Sequence, residues 1–155
     1  MEKSKRKQVV SWLLLAVWLL LAAMLSRQTG EETAQLSGGI SAWLAAALKG
    51  IGIAVDPEAL HLLLRKAAHV AVFLVLGFLA GRAFHLTFRG RWVTAAAAAV
   101  CLAAVLDEVQ KAAVPGRHCH WDDAALNAVS VLAGLALERL ICRGIQKKKS
   151  NREDA

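Results

Sequence analysis

Residues 107–134 read DEVQKAAVPGRHCHWDDAALNAVSVLAG. This segment sets Asp, Glu, Lys, Arg, two His and two further Asp between runs made almost entirely of Ala, Val and Leu. Charged groups beside hydrocarbon cost several kcal/mol unless they are paired, hydrated or used. The apolar runs on either side therefore decide the fold, and the polar residues between them mark where function is to be sought.

Upstream, residues 92–106 form an Ala-rich apolar run that leads directly into Asp107, and its small side chains let a helix approach its neighbours closely. Downstream, residues 124–141 form another run of spanning length. Near the start of the chain, residues 9–25 (VVSWLLLAVWLLLAAML) follow a basic segment containing Lys3, Lys5, Arg6 and Lys7. That pattern is common to signal peptides and to anchors. The length of the run, and Arg27 after it without a small-x-small cleavage site, favour an uncleaved anchor.

Asp56-Pro57-Glu58 is a helix start: Asp at the N-cap, Pro where its missing N–H does no harm, and Glu at the positive end of the dipole. The apolar pattern then continues to Phe84, roughly 40 Å at 1.5 Å per residue, so only residues 67–83 need lie in hydrocarbon. Between the first two runs, Leu36, Ile40, Trp43, Leu44, Ala47 and Leu48 recur at helical spacing. They predict an outer amphipathic helix, lying on the membrane surface or packed over the mouth of the bundle.

The expected architecture is all-α: a four-span transmembrane helical bundle with spans at about 9–25, 67–83, 92–110 and 124–141, forming a membrane domain over 9–141. A basic N-terminus (1–8) and a basic, solvated and partly disordered tail (142–155) flank it. The composition agrees, with 57% hydrophobic residues and a mean hydropathy of +0.45 over 155 residues. The net charge of +7 would suggest nucleic acid in a soluble protein. Here Lys and Arg gather outside the apolar runs, as orientation by positive charge requires, and no nucleic-acid partner is expected. With four spans, the N-terminus, the connection carrying Arg82, Arg89 and Arg91, and the tail all fall on the cytoplasmic side. Residues 26–66 and 107–123 then face outward.

This topology delivers charge from three helices to one outward pocket. Lys66 and His69 share a face (i,i+3), Asp107 and Lys111 another (i,i+4), and Asp123 and Asn127 (i,i+4) open the last span. Pro115-Gly116-Arg117 makes the intervening turn. One reading is a site for an anionic group, since Arg and Lys suit phosphate while Glu108, Asp123 and His69 can move protons. The other is a polar network that pins helix register. His118-Cys119-His120 with Asp122 contains ligand types, but adjacent loop residues point apart, so no metal site is expected, nor any other cofactor. Cys101, Cys119 and Cys142 have no CxxC spacing and sit at different depths, which argues against a disulfide. The five Trp residues are read as interface anchors. His61 and His85 are placed at interfaces without a role. No nucleophile motif or nucleotide loop is present, which leaves catalysis and pure binding both open.

Arg65-Lys66-Ala67-Ala68-His69 with Phe73 and Gly77, then Asp107-Glu108, Pro115-Gly116-Arg117, Asp123, Asn127 and Gly134, resemble the VanZ family of small bacterial membrane proteins. Ser26-Arg27-Gln28 with Leu36-Ser37 is similar to that family's segment after its first span. Three positions differ from the family's pattern: Lys111 stands where Gln is usual, Val72 where an acidic residue is often found, and Ser130 where a Gly is expected. The resemblance implies a link to resistance against lipoglycopeptides such as teicoplanin. The combined expectation is a protein of the cytoplasmic membrane that acts on membrane lipids or lipid-linked envelope precursors. Lys66, Arg117, Asp107 and Asn127 would bind, and His69, Glu108 and Asp123 would orient or transfer protons.

Overall fold

The computed structural model describes residues 2–27, 30–88, 92–111, 113 and 121–153, and these contain five helices and no strand. They are α1 (Glu2–Ser26), α2 (Gly30–Gly50), α3 (Pro57–Thr87), α4 (Trp92–Lys111) and α5 (Trp121–Glu153). All but α2 are long and apolar enough to cross a membrane. The four-span, all-helical expectation therefore holds.

The start of α3 follows its sequence signal. Asp56 is extended and its carboxylate accepts from the amides of Glu58 (3.2 Å) and Ala59 (3.4 Å), which satisfies two of the donors a helix start leaves free. At 31 residues α3 is about 46 Å long, so its ends extend beyond the hydrocarbon. The last helix departs from expectation. Instead of ending near 141 in a partly disordered tail, α5 stays helical to Glu153. Cys142, assigned by its sequence position to that tail, is buried.

Contacts fix the direction of each helix. Near the start of α1, Gln8 donates to the Leu86 carbonyl (2.6 Å) and Trp12 to the Thr87 hydroxyl (2.9 Å), both at the end of α3. At the other end of α1, Ser26 Oγ donates to Asp107 Oδ1 near the end of α4. Lys66 in α3 reaches Asp123 at the start of α5, while Arg82 and His85 reach Glu138 further along it. Consequently α3 and α5 run parallel, α1 and α4 run opposite to them, and the start of α1 shares one end of the bundle with the late part of α5. These bonds make α1 an integral wall of the bundle.

The parallel pair α3 and α5 is the closest-packed part of the structure. A Cβ at Gly77 would overlap the main-chain carbonyl of Val131, and one at Gly134 would overlap that of Leu74. One turn beyond Gly77 on α3, Gly81 leaves room for the side chains of Leu135 and Glu138, so the small residues of α3 let α5 approach closely. Around it lies a core of Phe73, Leu76, Ala80, Val131 and Leu135, completed by Leu15 of α1 and Ala96, Val100 and Ala104 of α4. The Ala-rich run thus packs closely, as expected.

Trp18 is not an interface anchor. Its indole donates to the Val72 carbonyl (2.9 Å) within the bundle, tying α1 to α3. Trp92 stacks on His85 with centroids 4.9 Å apart. Trp43 and Trp121 are exposed, as anchors would be. Helix α2 contacts α3 alone among the described elements and leaves Ile40 and Trp43 exposed. It therefore leans on the bundle while keeping an apolar face free for a membrane surface.

Candidate functional site

The helix directions place the ends of α1 and α4, the first half of α3 and the start of α5 at one end of the bundle. There Lys66 Nζ lies 3.2 Å from Asp123 Oδ1 and 3.3 Å from Asp122 Oδ2. Arg65 adds a longer contact of 3.8 Å to Asp123. Asp123 is buried, whereas Lys66 and Arg65 each keep 42% of their side-chain surface exposed, so both cations stay within reach of solutes.

The second group of charges hangs from α4. Lys111 Nζ donates to Glu108 Oε2 at 2.5 Å and lies 3.4 Å from Asp107 Oδ2, and Asp107 also accepts from Ser26. Glu108 and Lys111 are 1% and 4% exposed, which makes this a buried ion pair. Lys111 thus supplies a cation to two carboxylates on its own helix. His69, half-buried one turn along α3 from Arg65 and Lys66, lies within electrostatic range of Lys111, Asp123, Arg65 and Asp107. The structure therefore brings together Lys66, His69, Asp107, Glu108 and Asp123. Arg117, the Pro115-Gly116-Arg117 turn and the His118-Cys119-His120 cluster lie outside the described residues.

Asn127 differs from its neighbours. It is 0% exposed, and neither its amide nitrogen nor its carbonyl oxygen has a hydrogen-bond partner among the described residues. Leaving such groups unmade costs about 1–3 kcal/mol each, and in native proteins an exception of this kind calls for an explanation. One turn further along α5, Ser130 returns its hydroxyl to the Leu126 carbonyl (2.7 Å), so it stands in for the expected Gly without exposing a polar atom to the core. Val72 is half-buried: its side chain packs against the hydrophobic core and its carbonyl accepts from Trp18.

The opposite end holds a polar cluster that the sequence reading did not single out. Glu138, 1% exposed, accepts from Cys142 Sγ (2.9 Å), lies 3.2 Å from His85 Nδ1 and pairs with Arg82 at 3.7 Å. The available signal was Glu138 itself: a carboxylate inside an expected span demands a partner, and Cys142 four residues on shares its face. Beside it, Arg6, Lys7, Ser11 and Arg82 line a cavity of about 440 Å³ between α1 and α3.

No curated protein and no solved structure matches the chain. The VanZ/LLP1 family matches residues 11–142, from the first span to Cys142. That match covers most of the chain and includes every described residue of the first cluster. With four membrane-spanning helices and this match, the chain is a multi-pass membrane protein that belongs to the VanZ/LLP1 family.

Proposed function

We propose that the cluster around Lys66, His69, Glu108 and Asp123 is a site for an anionic lipid or lipid-linked cell-wall component at the outer face of the cytoplasmic membrane. Asn127 carries the reading: a fully buried amide without a hydrogen-bond partner among the described residues, at the end of the bundle where three helices converge charge, is a polar group kept for something that arrives. Lys66 and Arg117 hold the anion, Asp107 and Asn127 position it, and His69, Glu108 and Asp123 orient it or move a proton. VanZ-family membership, associated in general with teicoplanin resistance, supports an action on the envelope. Altering or sequestering such a component lowers the access of a teicoplanin-type lipoglycopeptide to its target. Both termini are cytoplasmic in this reading, since the basic residues of the N-terminus and of late α5 gather at the other end of the bundle.

A second reading, a non-catalytic scaffold, is favoured by the buried Lys111–Glu108 pair, which satisfies charge internally. Envelope lipids and lipid-linked precursors compared by mass spectrometry separate the two. The comparison uses cells producing wild type, Lys66→Ala or Arg117→Ala at matched protein levels. A species gained or lost only with wild type supports the site and names its substrate class. Identical profiles, together with unchanged teicoplanin susceptibility, favour the scaffold.

A further inference from the structure

The Glu138 cluster lies at the other end of the bundle from the proposed lipid site and plays no part in it. Three side chains of different chemistry meet there: His85 from α3, and Glu138 with Cys142 from α5. One ligand atom from each lies within 4.8 Å of the other two. The closest pairs are Nδ1 to Oε1 at 3.2 Å and Sγ to Oε1 at 2.9 Å. On a tetrahedral ion, N and O ligands with bonds of about 2.0–2.1 Å stand about 3.3 Å apart and a thiolate with a bond of about 2.3 Å stands about 3.5 Å from either, so the Nδ1–Oε1 spacing already matches and Sγ, now hydrogen-bonded to Oε1, has to withdraw by about 0.6 Å. Glu138 and Cys142 are four residues apart on one helix face, which fixes two ligands on a rigid element.

We infer that His85 Nδ1, Glu138 Oε1 and Cys142 Sγ form a site for a divalent transition-metal ion between α3 and α5. Imidazole, carboxylate and thiolate together select the zinc class over the hard cations magnesium and calcium. Glu138 Oε2 supplies an independent observation: it is buried, has no hydrogen-bond partner among the described residues, and belongs to a side chain 1% exposed. Three protein ligands leave a fourth position for solvent or a solute.

Arg82 completes the argument through charge. Its guanidinium lies 3.7 Å from Glu138 Oε1 and 3.5 Å from Cys142 Sγ, the place a cation takes in this cluster. Its side chain is 41% exposed and also lines the 440 Å³ cavity, so it can turn away. Binding the ion releases the Cys142 thiol proton to solvent and forms a metal–thiolate bond. The dication, one thiolate and one carboxylate then sum to zero, and Arg82 is no longer needed to balance Glu138. The outcome is a clasp joining late α3 to late α5.

The test uses the full chain purified in detergent and titrated with cobalt(II), the spectroscopic surrogate for zinc. The expected result is a thiolate-to-cobalt charge-transfer band with the visible bands of a four-coordinate ion, bleached by added zinc. Both features persist in Cys101→Ser and Cys119→Ser and are lost in Cys142→Ser. A wild type without the charge-transfer band overturns the proposal. So does a band that survives Cys142→Ser, or one that disappears with Cys119→Ser, which would move the metal to the His118-Cys119-His120 loop. A second measurement does not depend on a folded Cys142 variant. In the Cys101→Ser/Cys119→Ser protein, where Cys142 is the one thiol left, cobalt(II) must still give the charge-transfer band at one ion per chain, and its absence there also overturns the proposal.

Discussion

Gly77 of α3 lies directly against the main-chain carbonyl of Val131 of α5, with no room for even a methyl group between them. Gly134 makes the reciprocal contact with the Leu74 carbonyl. Gly77→Ala and Gly134→Ala must therefore push two backbones apart, and each is expected to cost about 1–3 kcal/mol, the usual range for overpacking a tight core. Gly144→Ala meets nothing within 4 Å and is expected to stay within about 0.5 kcal/mol of wild type. Thermal unfolding in detergent, read by loss of the monodisperse species, checks all three.

The buried Lys111–Glu108 pair gives a thermodynamic cycle. Lys111→Met strands two carboxylates and is expected to destabilise by about 3–5 kcal/mol. Lys111→Gln keeps a donor for Glu108, so it is expected to lose less. The double variant Lys111→Gln/Glu108→Gln replaces charge by neutral hydrogen bonding and is expected to recover most of the stability. A double variant as unstable as the sum of its parts would show that the two charges do not act as a pair.

Asn127 separates function from scaffold in a single substitution. Asn127→Leu removes two unpartnered polar atoms from a fully buried position while keeping the volume similar. The protein is expected to be unchanged or stabilised by about 1–3 kcal/mol, yet to lose the envelope phenotype of the wild type. Retained function in a stabilised variant would remove Asn127 from the site.

At the same end, Asp122 and Asp123 both face Lys66 but differ in burial. Asp122 is exposed, so Asp122→Ala is expected to change stability by less than about 1 kcal/mol. Asp123 is buried against two cations, and Asp123→Ala is expected to lower protein abundance visibly. Abundance measured beside the phenotype distinguishes a folding loss from a functional one.

Orientation is tested by thiol labelling in intact cells. Cys119 is expected to react with a membrane-impermeant reagent, and a cysteine introduced as Gly144→Cys is expected not to react. Cys142 is a poor reporter because it is buried against Glu138. Labelling at position 144 alone would turn the protein over and place the Lys66 cluster in the cytoplasm.

The four spans and the Asp56 cap were legible because they rest on local properties: run length, periodicity, and a Pro where a donor is dispensable. The convergence of Lys66, Asp107, Glu108 and Asp123 followed from span count alone, since alternate ends of successive spans meet. The tight α3–α5 contact was not legible, because Gly77 and Gly134 show small residues without showing which helices they join. Glu138 was passed over for a related reason. It falls near the end of an expected span, where a charge can reach water, and only the fold shows Arg82, His85 and Cys142 gathered around it. The length of α5 was misjudged because the Lys-rich tail reads as solvated, whereas a helix already anchored by packing can extend through it.

Among the described residues, both buried carboxylates of α5 are met by cations of α3: Asp123 by Arg65 and Lys66, Glu138 by Arg82. These partners lie more than 50 positions apart in the chain, with α4 between them. During synthesis α3 is therefore already complete when α5 emerges. The last helix, with two acids and an amide on its inward face, thus finds the cations that pair its acids already in place. The order of emergence from the ribosome therefore supplies α5 with its charge partners before it needs them.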